Sequence, residues 1–181
     1  MTDDLEDFIS IFLGSQRRVD GGVDFNKSWA EYRHGFGEPS GDFWLGNDAL
    51  HEITSKHPSE LRIDMRIDGQ DVFARYDQFK VENESDNYRL RLGNYSGTVT
   101  TGESPDRGFS YSNGSEFSTF DRDNDEFSTQ NCALNGYGGW WFKQCYYALL
   151  TGPTMVWYSE QRDSWLYADR VEMKIRPFQE G

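Results

Sequence analysis

The sequence predicts an α+β fold: an antiparallel sheet with short helices, carrying one long loop-rich region. Three observations predict it. Leu61, Ile63, Met65 and Ile67 alternate with Arg62, Asp64 and Arg66, the period-two pattern of a half-buried strand. Phe25, Trp29, Tyr32 and Phe36 recur at spacings of four, three and four, which builds one apolar face of a short helix. From about Val99 to Asp169 periodicity fades into Gly, Ser, Asp and aromatic residues. A region that long without regular structure is functional or disordered in a compact domain. It holds the densest acidic run, both cysteines and four of the six tryptophans (Trp140, Trp141, Trp157, Trp165), so it reads as functional.

The elements follow in order. Phe8–Phe12 reads as a short strand, and Asp20-Gly21-Gly22 as a turn. In the first helix, Asp24 or Asn26 is placed to cap the start and Gly35 the end. A second short helix follows Asn47-Asp48, with Ala49, Leu50 and Ile53 inward and Pro58 beyond its end. After Leu61–Ile67, Asp68-Gly69 is a hairpin signal, and Val72 to Val81 supplies the returning strand. Tyr88, Leu90 and Leu92 alternate again. Val171–Arg176 closes the sheet before Pro177.

At 181 residues the chain suits one domain with one sizeable core. Its 18 basic and 31 acidic side chains give a net charge of −13, which disfavours nucleic acid and anionic membrane surfaces as partners. No apolar run reaches the length that spans a bilayer, so no membrane insertion is expected. Aromatics at 16% argue against disorder, because disordered sequences are poor in them. The amino terminus is acidic and lacks the basic region of a signal peptide; a secreted protein would then be processed here or cut from a longer one.

Cys132 and Cys145 fit neither a zinc site nor a C-x-x-C redox motif, which leaves a disulfide closing a short loop or two buried thiols. Four sequons accompany them, at Asn26, Asn83, Asn94 and Asn113. Together they lean toward a secreted, extracellular protein, where disulfides persist and such asparagines accept glycans.

The acidic run is Asp121-Arg122-Asp123-Asn124-Asp125-Glu126-Phe127. Carboxylates at alternate positions repel one another unless a cation lies between them, and Ca²⁺ takes six to eight such oxygens. An EF-hand is excluded: its sixth position must be Gly and its twelfth Glu, whereas Glu126 and Cys132 stand there. A loop-built Ca²⁺ site and a solvated acidic turn both remain. An enzyme is not expected. His34, His51 and His57 all lie in the amino-terminal third, and no G-x-S-x-G, phosphate loop or H-E-x-x-H is present.

Longer runs carry a family resemblance. Gln16-Arg17-Arg18-Val19-Asp20-Gly21, Val23-Asp24-Phe25-Asn26-Lys27-Ser28-Trp29, Phe43-Trp44-Leu45-Gly46-Asn47-Asp48, Asn131-Cys132-Ala133, Gly139-Trp140-Trp141 and Glu172-Met173-Lys174-Ile175-Arg176-Pro177 resemble the fibrinogen-like domain of ficolins, tachylectins, angiopoietins and tenascins. The resemblance makes residues 16–181 one fibrinogen-like domain and residues 1–15 a lead-in. It implies a twisted antiparallel sheet with short helices and a loop-rich calcium- and ligand-binding subdomain at about 99–169. It also implies that Asp123 and Asp125 bind Ca²⁺ through their carboxylates and Phe127 and Thr129 through their carbonyls. A Cys132–Cys145 disulfide and a cis Gln144–Cys145 peptide are implied as well.

What such a domain would bind follows from the same resemblance. An acetylated sugar such as N-acetylglucosamine needs a methyl pocket, a donor for its carbonyl and an aromatic wall. Cys145 and Tyr146 would supply backbone N–H groups; Tyr137, Tyr146 and Trp157 would supply the wall. Gly138-Gly139-Trp140-Trp141-Phe142 and Tyr146-Tyr147 offer aromatic surface nearby. The expected function is therefore lectin-like recognition of acetylated glycans or microbial cell-wall polysaccharide in innate immunity, by a parent protein that is oligomeric. The sequence departs from lectin relatives at Tyr146, where they carry His, at Gly136, where they carry an aromatic, and in its short segment before Trp157. A protein-binding module of a matrix or receptor-ligand protein, without sugar specificity, is the alternative.

Overall fold

A computed structural model describes residues 12–100 and 107–177. Residues 8–11 of the strand expected at Phe8–Phe12 lie outside that range, and Phe12 precedes the first strand, β1 (Leu13–Arg18). Helix α1 (Trp29–His34) follows, then β2 (Phe36–Gly37), β3 (Phe43–Trp44) and α2 (Asn47–Lys56). Next come β4 (Ser59–Ile67), β5 (Gln70–Tyr76), β6 (Phe79–Val81), β7 (Leu90–Leu92) and β8 (Tyr95–Gly97). The last strands are β9 (Ala148–Leu149), β10 (Met155–Ser159) and β11 (Ser164–Pro177).

One antiparallel sheet runs β2-β3-β1-β11-β4-β5-β8, with β10 joining β11 and β9 joining β10. The segment expected to close the sheet, Val171–Arg176, is in fact its centre, between β1 and β4. Val171, Met173 and Ile175 are buried on the face shared with Leu61, Ile63 and Met65, which register opposite them. The Asp68-Gly69 turn forms with both residues at positive φ, 51° and 74°, as a two-residue hairpin requires.

The returning strand is shorter than expected. It stops at Tyr76 because Asp77 turns aside to hold Asn94, accepting its backbone and side-chain N–H groups. Phe79–Val81 then pairs with Leu90–Leu92 in a separate two-stranded sheet.

Helix α1 is capped by neither Asp24 nor Asn26. Ser28 is its N-cap, in a reciprocal capping box with Glu31, and Asp24 and Asn26 lie further upstream, where Asp24 instead accepts the Asn26 N–H. Gly35 does end it, at φ 89°, where a Cβ would meet the Leu45 carbonyl oxygen at 2.5 Å. Helix α2 turns Leu50 and Thr54 fully inward, with Ala49 and Ile53 half-buried.

The core between sheet and loops is aromatic. Tyr32, Trp44, Phe117 and Trp141 pack with ring centroids 5.2–5.9 Å apart, in edge-on or tilted geometries that add to plain burial. Trp141 also donates from Nε1 to the Tyr88 carbonyl at 2.8 Å. Trp140, Trp141 and Phe142 are all fully buried, so the aromatic surface expected from that run is core instead. The reason is local: Gly138 and Gly139 let the backbone press against Tyr32 and Phe117, which carries the following rings inside.

Candidate functional site

The acidic run divides its residues between two tasks. Asp121 Oδ1 accepts the Trp29 N–H at 2.9 Å and the Thr119 hydroxyl at 2.7 Å, so it anchors the start of α1. Arg122 lies 4.0 Å over the Trp29 ring. Asn124 is bonded to Phe117 and Ser118. Asp123 and Asp125 accept hydrogen bonds from amides of the loop itself. Asp123 Oδ1 accepts the Asp125 N–H at 3.2 Å; Asp125 accepts Phe127 N–H through Oδ1 and Cys132 N–H through Oδ2, each at 2.7 Å.

These bonds fold the loop so that the two carboxylates face one another's charge. Burial pushes the Asp125 carboxyl above its ordinary pKa and the neighbouring Asp123 charge pushes it further, against the lowering pull of the Cys132 and Phe127 amides. Two crowded carboxylates with lone pairs to spare make a donor set that fits a hard divalent ion. The described residues contain no cluster of three or more His, Cys, Asp or Glu side chains arranged for a metal, so any such ion must draw further oxygens from backbone or water. Phe127 and Thr129 lie on the same loop; the Phe127 carbonyl accepts Gln130 N–H at 3.2 Å and keeps a second lone pair.

The loop is tied to an aromatic surface. Cys132 is disulfide-bonded to Cys145, with Cα atoms 5.3 Å apart. The described peptide bonds are all trans, which corrects the cis bond expected at Gln144–Cys145. The backbone reverses there by another means: Cys145 takes φ 60° and its carbonyl accepts the Lys143 N–H at 2.9 Å. Tyr146 follows, and its ring meets Tyr137 at 5.9 Å, Phe142 at 6.2 Å and Trp165 at 5.8 Å. Tyr137, Cys145 and Tyr146 thus do come together, and all three are half-buried.

Trp157 does not join them. It is 1% exposed, because the β10–β11 register pairs Trp157 with Leu166 on the core side and Tyr158 with Trp165 on the outer side. The wall is instead Tyr158 and Trp165, which meet at 5.4 Å, with Tyr147 nearly parallel to Trp165 (12° between planes). Tyr111 abuts Tyr147 at 4.8 Å, and Arg107 lies 4.6 Å over the same ring. Trp165 is 37% and Tyr167 61% exposed. The residue-by-residue reading missed this platform. The alternation Val156-Trp157-Tyr158 against Trp165-Leu166-Tyr167 was present in the sequence and marks the outer face.

The four sequon asparagines are all exposed. Asn83 and Asn94 nevertheless have structural bonds, Asn83 as the acceptor for Asp86 N–H and Asn94 as a donor to Asp77. No described helix is long and apolar enough to cross a membrane.

Comparison with known proteins agrees with the architecture. Residues 5–178 match the family described as fibrinogen beta and gamma chains, C-terminal globular domain. Human tenascin-R is 46% identical over 175 residues, covering 90% of this chain and 12% of tenascin-R. Protein scabrous of Drosophila melanogaster is 38% identical over 165 residues (89% of this chain, 20% of its own). Angiopoietin-related protein 6 of Mus musculus is 46% identical over 144 residues (79% and 29%). The chain therefore spans less than a third of these relatives. Among solved structures, the fibrinogen-like globe domain of human ANGPTL2 superposes with a TM-score of 0.80 at 34% identity, over 93% of this chain and 81% of that one. Lamprey fibrin D-dimer, complexed with the peptide ligand Gly-His-Arg-Pro-amide, gives 0.80 at 29% identity, over 94% and 62%. Family match, sequence relatives and shared fold agree: the protein belongs to the family of globular domains that form the C-terminal parts of fibrinogen β and γ.

Proposed function

We propose that the domain is an extracellular protein-recognition module whose contact surface is the Tyr147–Tyr158–Trp165 platform beside the acidic loop. The exposed face of the β10–β11 hairpin carries this reading. An acetyl pocket would need a narrow apolar recess, but Trp157 is withdrawn from it and an open run of aromatic rings stands in its place. Such rings are the usual anchors of protein interfaces. The disulfide and the exposed sequons support an extracellular setting. The acidic loop favours a basic segment of the partner through charge, Arg107 already lying over the Tyr147 and Tyr158 rings; lamprey fibrin D-dimer, of the same fold, is complexed with a peptide that contains Arg.

The reading includes Ca²⁺, held by the Asp123 and Asp125 carboxylates with the Phe127 and Thr129 carbonyls. The ion would neutralise the paired carboxylates and stiffen the loop that leads through Cys132 to Cys145 and Tyr146. Its role would be to fix the floor of the site without touching the ligand.

Titration of Gly-His-Arg-Pro-amide and, separately, N-acetylglucosamine against tryptophan fluorescence tests the reading. Peptide binding that Trp165→Ala weakens about tenfold or more, a loss of about 1.4 kcal/mol, with no response to the sugar, is expected. Saturable N-acetylglucosamine binding with acetate as competitor would instead restore the lectin reading.

A further inference from the structure

Arg122 is the one cation inside the acidic run, flanked by Asp121 and Asp123, with Asp125 and Glu126 close behind. A guanidinium so near would ordinarily fold onto these carboxylates, because the two match in charge-assisted, often bidentate bonds. It does not do so. Among the described residues Arg122 forms no ion pair with any acid of the run, and its carboxylate partner is the distant Glu84, at 3.8 Å.

Its guanidinium is held by residues outside the run. Cζ lies 4.0 Å from the centre of the Trp29 ring, a cation–π contact, and Nη2 donates to Asn87 Oδ1 at 2.6 Å. Each holder is itself fixed. Trp29 Nε1 donates to Glu84 Oε1 at 2.9 Å, and Arg33 pairs with the other Glu84 oxygen at 3.0 Å. Asn87, in the left-handed region at φ 49°, donates from its side-chain amide to Glu116 at 3.0 Å, which leaves Oδ1 to Arg122. Thr119 and Arg122 exchange backbone N–H···O=C bonds at 2.9 and 3.1 Å, so the segment entering Asp123 starts from a fixed point.

We infer that a cradle of Trp29, Glu84 and Asn87 keeps Arg122 out of the calcium site and so sets the affinity of the loop for the ion. The inference rests on the calcium reading above and extends it to residues outside the loop. A cation tethered one residue from Asp123 reaches its carboxylate, where it would compete with Ca²⁺ for the same oxygens and repel it. The side chain of Arg122 is 40% exposed, so burial does not restrain it and the cradle contacts must. They suit arginine in particular: a planar guanidinium stacks on an indole and offers several donors in fixed directions, whereas a lysine ammonium is a point charge on a flexible stem.

The test is calorimetric titration of the chelator-treated full chain with CaCl2. Arg122→Lys keeps the charge but loses the cradle, and should raise Kd about fivefold. Arg122→Gln removes the competing charge altogether and should leave Kd within about twofold of wild type. The Arg122→Lys defect should shrink in added NaCl, which screens exposed charges. Asn87→Gly keeps the left-handed turn but deletes the acceptor; it should weaken binding as Arg122→Lys does, and Arg122→Gln in the same chain should restore it. A loss with Arg122→Lys no larger than that with Arg122→Gln would mean that Arg122 only braces the loop, and overturns the inference. An Asn87→Gly protein that binds Ca²⁺ as wild type does overturns it too. Both results leave the calcium reading standing, whereas wild type that takes up no Ca²⁺ overturns that reading and this inference together.

Discussion

Cys132 N–H donates to Asp125 Oδ2 at 2.7 Å, and this bond joins the acidic loop to the aromatic platform. From Cys132 the disulfide leads to Cys145, and the next residue, Tyr146, packs on Tyr137 and Trp165. A change in the charge or order of Asp125 therefore has a short covalent and hydrogen-bonded path to the aromatic platform.

Calcium should stabilise the domain. Added to chelator-treated protein at about a hundredfold excess over Kd, it should contribute roughly 2.7 kcal/mol by mass action, or about 5–10 °C in Tm for a protein of this size. Asp123→Ala/Asp125→Ala should abolish the shift in differential scanning calorimetry. An equal rise in the double variant would place the ion elsewhere.

Asp125 should titrate above the ordinary aspartate range in calcium-free protein, because burial and then Asp123 raise its pKa. A carboxyl raised on folding gives stability that is present below its unfolded pKa and lost as pH rises through the folded one. At neutral pH the ionised pair thus opposes folding, and a bound cation relieves it. Carboxyl NMR should show the Asp125 pKa falling on Asp123→Asn substitution and on calcium addition.

Reduction of Cys132–Cys145 should lower stability by about 3 kcal/mol, the loop-closure value for a ring of this length. Intact mass without reductant should show no alkylatable thiol, whereas two would contradict the bridge.

Ser28→Ala should destabilise the protein by about 0.5–2 kcal/mol by removing the α1 N-cap, read as a shift in urea midpoint at unchanged slope. The same change at Asp24 or Asn26 should cost less, since neither caps α1.

Adjacent tryptophans on opposite faces should separate stability from binding. Trp157→Ala should cost about 3–5 kcal/mol as a core truncation. Trp165→Ala, at a site 37% exposed, should change stability far less while weakening peptide binding. Comparable losses of stability in both would mean that the platform is core.

The sequence by itself determined the features that depend on near neighbours along the backbone. The period-two rows of β4 and β11, the Asp68-Gly69 turn and the helical spacing of Trp29 and Tyr32 are each consequences of local geometry. So is the crowding of Asp123 and Asp125, which alternation in a loop enforces wherever the loop lies. The pairing of Cys132 with Cys145 was legible through the family resemblance, and the structure brings the two together. Tertiary structure decided what depends on distant partners. Asp121 left the acidic cluster because the start of α1, distant in sequence, needed an acceptor. Trp140 and Trp141 went inside because Gly138 and Gly139 allow a close approach to Tyr32 and Phe117. Trp157 went to the core and Trp165 to the surface because a strand's two faces are equivalent until its register against a partner puts one of them on the core.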